Sequence, residues 1–250
     1  MKIVACLKRV PTTETQPKIA ADGKSIDPTG VQYMASFYDE IAVEQAIRIK
    51  EQHGGDVIIL TVGPKDAQKE LREGLAKGAD SAVIAVDENW GQRDARSTAK
   101  VIAREVQRLG ASLVLTGRVA TDRDNASVGP MVATLLGWSC VTDVIELTLN
   151  GERGVAKRES DTGIETLEFS LPAVISCQKG LAEPRYAALK GIMAAKKKPI
   201  EEVPAGDEPN QAVVASLSLP PVRKEGRIVG EGAAAVKPLI EALRGEARVI

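Results

Sequence analysis

The residues best suited to chemistry lie between Arg118 and Gly129. An apolar run, Ala111-Ser-Leu-Val-Leu-Thr-Gly117, reads as a buried strand closed by a glycine. Arg118-Val-Ala-Thr-Asp-Arg-Asp-Asn-Ala-Ser-Val-Gly129 follows, dense in turn formers. Pro130-Met-Val-Ala-Thr-Leu-Leu136 then reads as a helix with proline in its first turn. A strand that turns into a helix N-terminus favours anion binding rather than proton transfer, because free N–H groups and the helix dipole meet there. The loop's backbone N–H groups are the expected phosphate ligands. Asp122 and Asp124 would brace the turn or bind ribose, since a carboxylate repels phosphate. The same pattern also fits an ordinary αβ loop with an Asn or Ser cap.

Other chemistries are poorly supplied. The three cysteines (Cys6, Cys140, Cys177) lack metal-ligand spacing, and one histidine, His53, completes neither a zinc site nor a catalytic pair. No Gly-x-Gly-x-x-Gly follows the first strand, and P-loop and nucleophile-elbow motifs are missing. A net charge of -1 and 3% aromatic content argue against a nucleic-acid platform. No apolar run spans a bilayer, so the protein is expected not to be membrane-embedded. Sparse cysteines and the early Lys8 and Arg9 fit a cytoplasmic chain without a signal peptide, or a mitochondrial-matrix chain in a eukaryote.

The elements that must position the loop follow from periodicity. With 250 residues and 44% hydrophobic content the chain can build a sizeable core. Strands are expected at Lys2 to Val10, Asp56 to Gly63, Ser81 to Val86 and Leu113 to Leu115. Helices are expected at Tyr38 to Gln52, Pro64 to Lys77 and Arg93 to Leu109, with a hairpin at Asp22-Gly23. Continuous apolar strands alternating with helices imply a parallel α/β sheet covered on both faces. Its ligands sit beyond the strand carboxyl ends. The expected tips are Cys6 to Arg9, Val62-Gly63 and Arg118 to Gly129. Short runs at Val141 to Leu149, Val155 to Glu159, Glu165 to Phe169 and Ala173 to Ser176, with turns at Asn150-Gly151 and Asp161-Thr-Gly163, read as a β meander. Lys196, Lys197 and Lys198 read as a solvated helix end. Residues 203–225 are proline-rich and read as an arm that leans on a partner, followed by a short helix, Val236 to Leu243. The expected division is 1–200 for the α/β domain and 201–250 for the arm.

Several segments resemble the beta subunit of electron transfer flavoprotein. The strongest is Ala156-Lys-Arg-Glu-Ser-Asp-Thr-Gly-Ile-Glu-Thr-Leu-Glu-Phe-Ser-Leu-Pro-Ala-Val-Ile-Ser176. Thr162 departs there from the usual Gly or acid. Glu183-Pro-Arg-Tyr-Ala-Ala-Leu189 with Ile192-Met193 is similar to the family's partner-recognition loop. Asp39-Glu-Ile-Ala-Val-Glu44 and the loop with Asp122, Asp124 and Gly129 add two further matches. Ser36-Phe37 stands where Asn-Pro is common, and Ser127-Val128 where Gln-Thr or Gln-Val is common.

The resemblance implies a Rossmann-like, adenine nucleotide hydrolase-like α/β fold and an electron carrier subunit rather than a stand-alone enzyme. It implies a heterodimer whose alpha subunit carries the redox FAD, while this chain holds a structural AMP. In electron-bifurcating members a second FAD replaces that AMP. The implied nucleotide contacts are Cys6, Ser36, Phe37, Tyr38, Asp39 and Val62, then Arg118, Val119, Ala120, Thr121, Asp122, Arg123, Asp124, Asn125, Ala126, Ser127, Val128 and Gly129. Leu189 would anchor an acyl-CoA dehydrogenase-type donor, with Tyr186, Ile192 and Met193 around it. Glu159 would face the alpha subunit's mobile flavin domain. Electrons would leave to an acceptor of the electron transfer flavoprotein-quinone oxidoreductase type. A reading of another class is a non-redox, homodimeric nucleotide-binding signalling module. Residues 156–193 and the arm speak against it, since such a module has no need of them.

Overall fold

Strand-length apolar runs alternate with amphipathic stretches over the first half of the chain. In the structure, a computed structural model describing residues 1–222 and 225–250, they become one sheet between two helical layers. Strand β1 (Lys2–Cys6) is followed by β2 (Arg9–Pro11), β3 (Tyr33–Ala35) and helix α1 (Phe37–His53). Then come β4 (Asp56–Gly63), α2 (Gln68–Lys77), β5 (Ser81–Val86), α3 (Ala95–Leu109), β6 (Leu113–Gly117) and α4 (Val128–Leu136). The second half contributes β7 (Ser139–Asn150), β8 (Arg153–Ser160), β9 (Gly163–Ser170), β10 (Ala173–Cys177), α5 (Leu189–Ala195) and β11 (Ile200–Pro204).

The main sheet runs β11-β5-β4-β1-β6-β10-β7-β8-β9. It is parallel from β11 to β7 and antiparallel through β8 and β9. Alternate strand residues serve opposite layers, as the two-residue side-chain period requires. Ile3, Ala5 and Ile59 pack with Ile41 of α1 and Leu71 and Leu75 of α2. Val4, Cys6 and Leu60 pack with Ile102 and Val106 of α3 and Val132 of α4. The expected α/β architecture is therefore the one found.

Four details differ from expectation. The first strand does not run to Val10. It ends at Cys6, because the Lys8 N–H donates to the Asp39 carboxylate at 2.7 Å, and Arg9 to Pro11 pair with β3 in a separate small sheet. The meander is no appendage either. β10 inserts between β6 and β7, so β7, β8 and β9 prolong the main sheet. The first compact unit runs to Leu217, past the expected boundary at 200/201. Residues 200–204 form an edge strand on β5, and Ala205 is buried with Ala85 and Val101. Lys198, finally, is not a solvated helix end: it donates to Leu75 O at 2.9 Å and Ala79 O at 2.5 Å, capping α2. The Asp22-Gly23 hairpin forms as expected, with Asp22 accepting from the Lys24 and Ser25 N–H groups.

The second unit, Ser218–Ile250, contains helix α6 (Val236–Ala242) and an Arg227–Glu246 pair at 2.6 Å. None of its described residues is buried, and Val222, Ile228, Leu239 and Val249 are exposed.

At the ends of β1 and β6 the tightest constraint falls on Gly117. A Cβ there would lie 2.5 Å from Asp39 Oδ1 and 2.8 Å from Asp39 N. Gly117→Ala is expected to destabilise the protein by about 1–3 kcal/mol through overpacking, measured as a lower urea midpoint at unchanged slope.

Candidate functional site

The chain passes from β1 to β4 and β5 on one side, then returns to place β6 on the other side of β1. The β1/β6 boundary is thus a switch in strand order, the place where such sheets leave a crevice. A cleft opens there, with about 970 Å³ of space when the solvent at its mouth is included. Its floor is the end of β1 and the end of β6, with Leu60 and Val62 of β4. One wall is Trp90 to Arg93 and the α3 residues Ala95, Thr98 and Ile102. The loop between β6 and α4 closes it.

Most residues expected at the site meet in this cleft. Cys6, Asp39 and Val62 line it, as do Arg118, Val119, Ala120, Asp122 and Arg123, and the run from Asn125 to Gly129. Five expected residues stand off it. Thr121 and Asp124 are on the exposed side of the loop. Ser36 is buried at the start of α1, where its carbonyl accepts from the Asp39 and Glu40 N–H groups. Phe37 is exposed and packs edge-on with Tyr38.

The structure also supplies lining residues outside the expected set: Leu7, Lys8, Leu60, Thr116, Gly117 and the wall from Trp90 through Ile102. Leu7 and Lys8 belong to the tip after β1 that the apolar run already marks. Nothing in the spacing around Trp90 signals a site, because its place depends on how α3 packs.

Asp39 organises the floor. Its carboxylate accepts from Lys8 N at 2.7 Å and Gly117 N at 2.9 Å, joining the ends of β1 and β6. Burial pushes its pKa up to about 7, against the pull of the Lys8 and Gly117 N–H groups. Burial likewise raises the Cys6 thiol, so Cys6 is a packed, protonated floor residue. Lys8 Nζ holds both Asp122 oxygens at 2.7 Å. Burial lowers the Lys8 pKa, and Asp122 works in the other direction. Arg123 donates to Arg93 O at 2.9 Å and to Gly91 O, fastening the loop to the opposite wall. Arg118 is held by Asp143 at 2.6 Å.

With these cations committed, the donors left for an anion are largely backbone. Asp124 and Ala126 have positive φ of 51° and 50°, a curvature that builds concave N–H nests. Val128 and Gly129 open α4, and N–H groups in a first helical turn have no intrahelical acceptor. Two buried side-chain atoms of cleft residues, Thr116 Oγ1 and Arg93 Nη1, have no hydrogen-bond partner among the described residues. A polar, anionic guest would supply acceptors for the backbone donors, whereas these two side-chain atoms are shut away from the cleft's solvent.

A second group of expected residues gathers elsewhere. Tyr186 is 100% exposed and Leu189 76%, with Ile192 and Met193 exposed beside them on α5. The preceding segment is anchored by Arg185, which donates to Glu44 at 2.9 Å and Glu51 at 2.5 Å. Glu44 is 1% exposed. Burial opposes its charge, and hydrogen bonds from Arg185 and Arg48 outweigh that, so its pKa lies below the ordinary carboxylate value. Glu159 is an exposed residue of β8. Among the described residues no side-chain group suits a metal ion, and no helix is long and apolar enough to cross a membrane.

Sheet order and cleft define a Rossmann-like α/β protein with its candidate site at the switch point. Residues 25–208 match the electron transfer flavoprotein domain family. The electron transfer flavoprotein subunit beta of Bacillus subtilis (strain 168) is 37% identical over 260 residues, covering 100% of both chains. That of Bradyrhizobium diazoefficiens is 34% identical over 253 residues, again covering 100% of both. The mitochondrial subunit beta of Oryza sativa subsp. indica is 35% identical over 257 residues, with the same full coverage. The chain belongs to the electron transfer flavoprotein beta-subunit family.

Asp39 gives the site a pH signature. A carboxyl whose pKa is raised on folding contributes stability that is fully present below its unfolded value, about 4. That contribution is lost as pH rises to the folded value of about 7. Stability is therefore expected to fall between those limits, at up to about 1.4 kcal/mol per pH unit. Asp39→Asn should flatten this slope, as read from urea unfolding at a series of pH values.

Proposed function

We propose that this chain is the nucleotide-holding, partner-docking subunit of a heterodimeric electron carrier, with AMP in the cleft and the redox FAD on an alpha subunit. The observation that carries the nucleotide reading is the switch-point cleft itself, whose unpaired donors are mostly backbone and whose basic side chains are mostly spent on holding the walls together. The residues present fit AMP. The turn from Asn125 to Gly129 would hold phosphate through N–H groups, Asp122 braces that turn against Lys8, and Val62, Ile102 and Trp90 offer an apolar wall for a base. The FAD of the complex supplies the electron chemistry. This chain contributes binding, orientation and docking.

Docking rests on the exposed apolar group Tyr186, Leu189, Ile192 and Met193. Exposure of large apolar side chains in one patch marks an interaction surface. Here Arg185, locked by Glu44 and Glu51, fixes the segment that presents them. The partner proposed for this patch is a flavin dehydrogenase of the acyl-CoA dehydrogenase type, with a quinone oxidoreductase-type acceptor downstream. The described residues of 218–250, apolar in part and nowhere buried, are proposed to pack on the alpha subunit, with Glu159 facing its flavin domain. The chain would then work in the cytoplasm, or in the mitochondrial matrix of a eukaryote.

Denaturing the one-to-one yellow complex is expected to release one AMP and one FAD, identified by chromatography and mass. Two FAD and no AMP would instead make it the bifurcating type, and no adenine nucleotide in this chain would end the nucleotide reading. Leu189→Ala should raise the apparent KM for the dehydrogenase roughly 30-fold, the equivalent of about 2 kcal/mol at a hot spot. Melting should barely move, because an exposed side chain contributes within about 0.5 kcal/mol to stability. An unchanged KM removes the docking role.

A further inference from the structure

Trp90 is the only aromatic side chain among the described residues that line the cleft. It opens one short helical turn, Trp90–Gln92, none of whose residues is buried. Such a turn places the backbone and leaves the direction of a large ring to its side-chain contacts. That contact is Tyr33. The two rings meet edge to face, with centroids 6.1 Å apart and planes at 69°, inside the range in which aromatic pairs attract. Tyr33 does not line the cleft, so it holds the indole without competing with a guest.

Tyr33 is itself held. It lies on β3, in the small two-stranded sheet that stands apart from the main one. The guanidinium of Arg9, on the neighbouring β2, sits over its ring at 4.5 Å from the centroid, a cation–π distance. Arg9 Nη1 also donates to Glu70 Oε2 of α2 at 3.4 Å, and the Glu70 side chain is 1% exposed. A carboxylate so deeply placed is costly without its cation, which ties the guanidinium to one place. Glu70, Arg9, Tyr33 and Trp90 thus run as one line of contacts from α2 to the cleft wall. Neither Tyr33 nor Trp90 belongs to the hydrophobic core, so core packing does not account for the pair.

We propose that Trp90 contacts the base of the nucleotide, and that Tyr33, clamped by Arg9, is the positioning residue that sets the indole at the cleft wall. The proposal rests on the nucleotide reading above. With phosphate held by backbone N–H groups, affinity for a planar base has to come from an apolar face, and the indole is the largest the cleft offers. Contact between a base and an aromatic ring is tolerant of base identity, because every base has a π-face. Trp90 therefore distinguishes a nucleotide from a bare sugar phosphate.

The test uses the full complex with its alpha-type subunit, stripped of nucleotide and labelled with fluorotryptophan. The fluorine signal missing from Trp90→Phe is that of Trp90. AMP is expected to shift it, and ribose phosphate at the same concentration to leave it in place. Trp90→Ala should weaken AMP about tenfold by calorimetry, as the loss of one base–aromatic stack would. Tyr33→Leu should move the Trp90 signal before any ligand is added and weaken AMP severalfold. Tyr33→Phe keeps the ring and should restore both. AMP that binds without moving the Trp90 signal, or ribose phosphate that moves it equally, overturns the base contact, as does unchanged AMP affinity in Trp90→Ala. A Trp90 signal and an AMP affinity both unchanged in Tyr33→Leu overturn the positioning role. Should that variant not fold, Tyr33→Thr, which suits a strand, is read in the same way. A complex that takes up no AMP at all overturns the nucleotide reading, and this contact falls with it.

Discussion

The geometry of the cleft depends on a buried carboxylate. Asp39 enters from the first turn of α1 and accepts N–H groups from the residues just beyond β1 and at the end of β6. These two strands are parallel neighbours whose mutual register ends at Ala5 and Leu115; beyond it Leu7 and Arg118 bond outward to Leu60 and Cys177 instead of to each other's strand. The carboxylate replaces that missing ladder. It needs Gly117, because any side chain there would collide with it. Its burial makes the charge expensive, and two backbone donors only partly offset that cost. The site is thus built on a group that the fold tolerates for its geometry.

The same economy governs the basic residues. A cleft with Lys8, Arg93, Arg118 and Arg123 in its lining looks from composition like a strongly cationic phosphate pocket. The hydrogen bonds say otherwise. Lys8 and Arg118 neutralise Asp122 and Asp143, and Arg123 spends its donors on carbonyls of the facing wall. Their role is to fix the loop's shape. What they leave is a preorganised backbone turn, and the nucleotide proposed for it would find little ordering left to oppose association.

Periodicity in the sequence revealed the alternating strands and helices, the two-faced core and the tips after β1, β4 and β6, because each depends on local pattern. The place of Asn125 to Gly129 at the cleft was legible for the same reason, since a turn-rich stretch between a strand and a helix falls at a strand's carboxyl end, although ordinary αβ loops share that pattern. The wall at Trp90 to Arg93 was not legible, since its position depends on the packing of α3 against β4, a contact with no local trace. Position 198 misled because a lysine at a helix end normally faces water. Here the polypeptide returns across α2 and brings that side chain to the free carbonyls of another helix. β11 and the insertion of β10 were missed on similar grounds: their partners are far away in sequence, and pairing partners cannot be read from a strand's own pattern.

The exposed patch on α5 shows what burial elsewhere makes possible. Leu189, Ile192 and Met193 gain nothing for the isolated chain by facing water, so something else must hold their helix in place. Gly191 sits against the Ala76 carbonyl, closer than any Cβ would allow, which draws α5 onto α2 by backbone contact. Arg72 then ties Ala195 and Lys198 to the same helix through their carbonyls. Arg185 secures the approach on the other side through Glu44, a carboxylate buried in α1. All of these fastenings are polar or backbone. Leu189, 76% exposed, is therefore left free of structural duty, and substitution there alters the surface of α5 while leaving the fastenings untouched.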